Sequence, residues 1–420
     1  MPGFRELARN HDFTVLWVAQ TISELGTRMS LFVFPLLAYH LTGSTLSAAV
    51  AEAAYLLGLV GALLPAGVLA DRVDRRLLLS AASAAGLLLH ASLVVAALLD
   101  ALTPAHLVVV AVLSGAVAGV FGPAELSAVR AVVPQADLPT ALSQHQARQH
   151  VASLVGGPVG GALYAVTRWL PFAVDVVTYA VSLVLLSRLR ADLSPPPSTG
   201  PGRRPLQDVG EGLAFIRHHP LMRVLTVWSA STNLLVNALF FVAVLRLLRG
   251  GFPTVQIGLV ETAAGVMGIL GALLAPRLIE RVPTGWLTVA VAWSFVPLVV
   301  PMALWNHPVA VAAALGVGVL LNPAGNAGIS SYRLTLTPPA LQGRVQASQQ
   351  FVSMSMLPLA PVLGGAALGV LGGEVAVLAL GALAALVALL PTLSPHVRTV
   401  PRPDRWPTRY AEQPAPPVAA

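Results

Sequence analysis

Apolar residues run in twelve long stretches separated by short polar gaps. A helix crosses a bilayer with roughly 20 apolar residues. Stretches of that kind predict spans at Phe13–His40, Leu46–Ala70, Leu77–Leu99, His106–Glu125, Ala141–Val166 and Trp169–Leu189. Six more are predicted at Leu221–Leu248, Val255–Ile279, Trp286–Trp305, Val309–Tyr332, Val345–Leu371 and Val375–Leu393. Between the two sets, residues 191–219 form a charged, Pro- and Gly-rich linker. Within it Leu206, Val209, Leu213 and Ile216 recur at helical spacing, which predicts an amphipathic helix along the membrane surface. Residues 1–12 are polar and lack a cleavable signal pattern, so the first span is expected to stay in the membrane. The tail, 394–420, is Pro-rich and polar and is predicted to be disordered. The expected fold is an all-α membrane protein of twelve transmembrane helices, in two pseudo-symmetric six-helix bundles over 13–190 and 220–393.

Composition explains why lipid must be the solvent. Of 420 residues, 56% are hydrophobic and 10% charged, with a mean hydropathy of +0.76. Soluble domains carry roughly 25% charge. All 25 basic residues are Arg, and the net charge is +7. In a soluble protein that would point to nucleic acid; here the Arg sit in alternate gaps between spans, so no nucleic-acid partner is expected. With the N-terminus inside, the inner gaps collect Arg72, Arg75, Arg76, Arg130, Arg188 and Arg190, among others, while the outer gaps hold Arg168, Arg246 and Arg249. The positive-inside rule then puts both termini in the cytoplasm, with the chain in the inner membrane. There is no Cys and no Lys. Disulfides and thiolate metal sites are excluded, as is a phosphate-binding Gly-Lys-Ser loop for ATP-driven transport by this chain alone. His145 and His150 lack a third ligand, so neither a metal nor a cofactor is expected.

The halves repeat. A shift of 203 residues lays Arg130 on Arg333, Gln146 on Gln349, Pro158 on Pro361 and Gly161 on Gly364. A shift of 209 lays Glu52 on Glu261. Parallel six-helix repeats are a transporter design, with the ligand site between the halves near mid-membrane.

The sharpest motif is Gly67-Val-Leu-Ala-Asp-Arg-Val-Asp-Arg-Arg76. Gly67 permits close helix approach, and Asp71 stands where it can cap the next helix or pair with Arg. The segment resembles the signature loop between helices 2 and 3 of the major facilitator superfamily, with Asp74 where many members have Gly. That resemblance implies a cytoplasmic gate of Gly67, Asp71, Arg72, Arg75 and Arg76. The segments Pro123–Pro134, Ala173–Tyr179 and Glu211–Pro220 resemble the enterobactin-exporter-like and macrolide-efflux-like branch. Gly157-Pro-Val-Gly-Gly161 partly resembles the antiporter motif of helix 5, and Ala360–Gly365 holds the matching place in helix 11.

Intramembrane charges are costly and are functional candidates by default. Glu24 and Arg28 share a helix face and can pair. Glu24 lies about 16 Å into its helix, and the 209 shift sets Asn233 opposite it and Asn237 opposite Arg28. These four are expected to line the central cavity, together with Gln20; the resemblance adds Asn322 and Asn326. The competing reading of Glu24 and Arg28 is an ion pair that locks the first helix to its neighbours. Glu24, Arg28, Glu52, Glu261 and Asp175 are the proton-coupling candidates, although Glu52 and Glu261 also fit a polar interhelical contact and Asp175 a structural hydrogen bond. Glu125 and Arg130 read as interfacial. The favoured function is proton-driven export of a small organic compound by a monomer. A proton-independent facilitator or an uptake symporter is the alternative. A membrane sensor or a membrane-embedded enzyme is more distant, because there is no catalytic cluster and no soluble domain.

Overall fold

A computed structural model describes residues 9–134, 137–194, 205–339 and 341–406. These residues are helical nearly throughout. Each predicted span falls on helix: α1 His11–Thr42, α2 Thr45–Arg72, α3 Arg75–Leu98, α4 Pro104–Val132, α5 Leu138–Val166 and α6 Leu170–Leu186. After α7, Pro205–His218, come α8 Pro220–Arg249 and α9 Thr254–Arg281. The ninth to eleventh spans are each interrupted: α10 Thr284–Trp293 with α11 Val299–Leu304, α12 Pro308–Val319 with α13 Asn322–Leu336, and α14 Gln342–Ser355 with α15 Leu359–Leu371. Then follow α16 Gly373–Leu393 and α17 Pro395–Arg398. Each interruption lies at a proline, Pro297, Pro323 or Pro358, which removes a backbone donor and crowds the preceding turn.

Nine helical segments among the described residues are long and apolar enough to cross a membrane, and α6 is a shorter apolar helix. The helices are built inside out relative to a water-soluble bundle. Leu57, Leu88, Val109 and Val177 are exposed, while Ser83, His90, Asp175 and Ser182 are buried. Only an apolar solvent favours that arrangement.

Local chemistry sets the helix ends. Asn10, Ser44 and Thr103 cap α1, α2 and α4 through their side chains. Gly43, with φ +67°, closes α1 through its N–H to the Tyr39 carbonyl at 2.7 Å. Asp74 caps α3, accepting from the N–H groups of Arg76 and Leu77. Of the two roles open to Asp71, capping the next helix or pairing with Arg, the first falls to Asp74: Asp71 is still inside α2, and Asp74 stands directly before α3.

The described residues pack as two compact units. The first comprises those of Met1–Arg203, Phe241–Gly265 and Pro358–Gly372; the second comprises those of Arg204–Phe240, Val266–Leu357 and Gly373–Ala420. The units cut across the sequence halves, because the ends of α8 and α9 and all of α15 pack within the first. There α2 and α4 approach closely, and a side chain at Gly58 or Gly115 would overlap the facing backbone. Gly365 of α15 seats against Ala49 and Thr45 of α2.

In the second unit, Met222, Leu225, Trp228, Val291, Ile329, Val345 and Val397 share one core. The α7 helix, expected on the membrane surface, packs against α14: Ser348 Oγ donates to the Val209 carbonyl at 2.9 Å, and Arg344 pairs with Glu211. The tail also departs from expectation. Residues 394–406 are folded, with Val397 and Val400 buried and Gly285 N–H bonded to the Val400 carbonyl at 3.1 Å. Residues 407–420 lie outside the described residues.

Candidate functional site

The middle of α1 carries the predicted ion pair. Arg28 Nε donates to Glu24 Oε1 at 2.8 Å, across one helical turn. The two side chains are 37% and 20% exposed. Gly156 of α5 lies against the root of Arg28, where a Cβ would overlap Arg28 Cβ. The pair is therefore held between α1 and α5 within the first unit.

Two further predicted carboxyls join this unit. Glu52 on α2 and Glu261 on α9 are both half-buried. Glu261 lies beside Gly157 of α5. It is close enough to interact electrostatically with Arg28 and with Glu52. Two carboxyls, Glu24 and Glu261, thus act on one guanidinium, and the third, Glu52, lies near Glu261. With all of them ionised, the cluster carries uncompensated negative charge, and proton uptake relieves it.

Glycines place Glu261. Along the seam of α5 and α9, a Cβ at Gly258 would overlap the Gly157 backbone. Hydroxyls fasten the same seam: Thr254 Oγ1 donates to the Gly161 carbonyl at 2.7 Å, and Thr262 Oγ1 to the Leu154 carbonyl at 2.5 Å. The glycines of the segment 157–161 therefore serve close backbone approach.

Asp175 is separate from Glu24 and Arg28, on the other side of α1. It is fully buried on α6 and accepts from Ser30 Oγ at 2.7 Å and from Thr178 Oγ1 at 2.7 Å. His90 of α3, 1% exposed, brings Nδ1 to 2.9 Å from Asp175 Oδ2. Nδ1 makes no aligned hydrogen bond to that oxygen. A Cβ on Gly26 of α1 would overlap the Asp175 carboxylate. Sequence reasoning missed His90, although an ionisable residue in the body of a predicted span was the signal.

The amide candidates divide between the units. Gln20 of α1 is 1% exposed, and its amide atoms have no hydrogen-bond partner among the described residues. In the second unit, Asn233 and Asn237 lie on an exposed face of α8, and Asn237 Nδ2 donates to the Asn233 carbonyl at 2.8 Å. Asn322 opens α13 directly after the helix break, and Asn326 is exposed one turn later.

Of the predicted gate residues, Gly67 and Asp71 lie in α2 with surroundings that are not described, and Arg72 is exposed. Arg75 and Arg76 instead hold the chain that leaves α6. Arg75 donates to the carbonyls of Leu193 and Ser194, at 3.2 and 3.1 Å, and Arg76 to those of Leu189 and Ala191, at 2.5 and 3.0 Å.

Glu125 is 3% exposed and pairs with Arg148 of α5, itself 5% exposed. Arg130 is exposed.

Apolar spanning helices with charged groups enclosed among them define a multi-pass membrane transporter. The Major Facilitator Superfamily pattern matches residues 16–361. The chain belongs to the Major Facilitator Superfamily. It is 26% identical over 403 residues to the multidrug efflux pump Tap of Mycolicibacterium fortuitum, covering 91% of this chain and 95% of that one. It is 25% identical over 380 residues to Tap of Mycobacterium tuberculosis, covering 86% and 88%. Among solved structures, the nucleoside transporter NupG superposes with a TM-score of 0.72 at 12% identity, covering 90% of this chain and 98% of that one. A bacterial homolog of the human lysosomal transporter Spinster, inward-facing and unoccupied, superposes with a TM-score of 0.73 at 14% identity, covering 93% and 97%. These structures share the fold. The relatives are transporters of small molecules and not enzymes.

Proposed function

We propose that this chain exports a small organic compound, driven by the proton gradient, working as a monomer in the inner membrane. In this reading twelve spans form two six-helix bundles, both termini are cytoplasmic, and the bundles rock to expose a central cavity to each side in turn. The observation that carries the proposal is the gathering of three carboxyls near one guanidinium: Glu24 paired with Arg28, Glu261 acting on the same Arg28, and Glu52 beside Glu261. Such a cluster exchanges protons more readily than an isolated ion pair, because each added proton reduces unpaired charge. The likeness to pumps named for multidrug efflux supports outward transport of organic compounds. Gln20, Asn233, Asn237, Asn322 and Asn326 would contact the cargo. Asp71 and Arg72 would latch the inner side, while Arg75 and Arg76 brace the segment after α6.

The test is transport of a compound panel by proteoliposomes with an imposed pH gradient, comparing wild type with Glu24→Gln. The expected result is gradient-driven transport that falls at least about tenfold in the variant, while counterflow at equal pH persists. Full gradient-driven transport by Glu24→Gln would overturn the coupling assignment. Wild-type transport that ignores the gradient would point to a facilitator.

A further inference from the structure

The first unit contains a second ionisable centre, which the Glu24 cluster does not use. His90 is enclosed by aromatic rings, with centroids of Phe172 and Tyr179 at 5.7 Å and of Phe34 at 6.1 Å from the imidazole. The three rings are tilted to the imidazole by 46–55°. Asp175 supplies an anion at 2.9 Å. Buried polar groups in native proteins are almost always aligned with partners, yet His90 Nδ1 is not. At 2.9 Å a small rotation of the ring brings Nδ1 into line with Oδ2, and a proton can then pass between the two groups.

The same unit provides access. A cavity of about 370 Å³ opens at the ends of α1 and α3, with exposed His40, Asp100 and Arg168 among its lining residues. Its buried lining includes Phe172 and Leu93. Phe172 is also one of the rings against His90, so one aromatic side chain separates this cavity from the imidazole.

The unit also provides a listener. Asp175 Oδ2 is shared by Ser30 Oγ of α1 and His90 Nδ1. A proton on Oδ2 turns that acceptor into a donor, so Ser30 Oγ and His90 Nδ1 must rearrange around it. Ser30 lies on α1, the helix that carries Glu24 and Arg28.

We propose that His90 and Asp175 form a buried proton-binding site, loaded through the cavity that Phe172 closes and sensed by α1 through Ser30. One proton on the pair keeps it neutral, whether as imidazolium with carboxylate or as imidazole with carboxylic acid. Losing that proton leaves a carboxylate held by Ser30 and Thr178. The groups facing the pair are Ser30 from α1, Tyr55 from α2, Ser114 from α4, and Thr178 and Tyr179 from α6. Ser114 Oγ lies 3.3 Å from His90 Nε2 and rotates to donate or accept as that nitrogen changes state. Thr27 of α1 bonds the Tyr179 hydroxyl at 3.1 Å, and Glu24 acts on Tyr55 and Tyr179 at longer range.

The inference deepens the proton-coupled reading, and its test needs no transported compound, so the two fail separately. Deuterium exchange at the imidazole C2 position of His90 is followed by mass spectrometry on the full chain in nanodiscs, across about pH 5 to 9. A sigmoidal rate profile is expected in wild type. Its midpoint should move by about one pH unit or more in Asp175→Asn, and should also move in Ser30→Ala and Ser114→Ala. Phe172→Ala should speed exchange several-fold at every pH. A flat wild-type profile, or an unchanged midpoint in the folded variants, overturns the proposal and leaves a structural contact. If Asp175→Asn does not fold, the wild-type, Ser30→Ala and Ser114→Ala profiles decide alone.

Discussion

Replacing Arg148 with Leu should strand a carboxylate in a place that accommodates a pair. Glu125 and Arg148 are 3% and 5% exposed, so water cannot replace the lost partner. His145 can compensate only in part, because with Arg148 gone its Nδ1 can donate a single hydrogen bond to Glu125. Its Nδ1 lies 3.1 Å from Glu125 Oε1 and 3.0 Å from the Arg148 guanidinium. A neutral ring nitrogen cannot donate to the acid and accept from the base at once. Removing one member of a buried pair costs about 3–5 kcal/mol, whereas replacing both with apolar groups is often close to neutral. Arg148→Leu and Glu125→Leu should therefore each lose stability on that scale, and the double variant should be more stable than either. The assay is thermal unfolding of the purified protein, read by the fluorescence of its seven Trp, arranged as a double-mutant cycle. If the double variant loses the sum of the two single effects, the residues do not act as a pair and the reasoning fails.

Two further outcomes follow from the packing. Asp74→Ala should cost about 1 kcal/mol through loss of the α3 cap, and Asp74→Ser should restore most of it; equal melting temperatures for the two variants would remove the cap from the account. Gly258→Ala should push α5 and α9 apart at Gly157, costing about 1–3 kcal/mol. Because the chain has no Cys, a single Val255→Cys reports on this seam, and its thiol labelling should quicken severalfold when Gly258→Ala is added; unchanged labelling would mean that the contact does not hold the seam closed.

Much of the architecture was legible because the rules that govern it are local. A bilayer tests each stretch of about 20 residues separately for apolar content, so every predicted span falls on helix. The Glu24–Arg28 pair was legible for the same reason, since four residues along a helix is a fixed distance. Prolines were harder. Pro35, Pro65, Pro123 and Pro158 lie inside unbroken helices, while Pro297, Pro323 and Pro358 lie at breaks. The residue type is the same, and neighbouring helices decide which loss of a backbone bond is tolerated.

The sequence by itself determined a membrane-embedded helical protein, its family and the intrahelical ion pair. Tertiary structure alone decided the partnerships of buried charge: Glu125 with Arg148, His90 with Asp175, and Glu261 beside Gly157. It also decided that residues 394–406 fold, because the core that receives Val397 and Val400 is made by helices far away in the chain. Hydropathy sums along the chain, but the desolvation of a charge depends on what lies a few ångströms away in space.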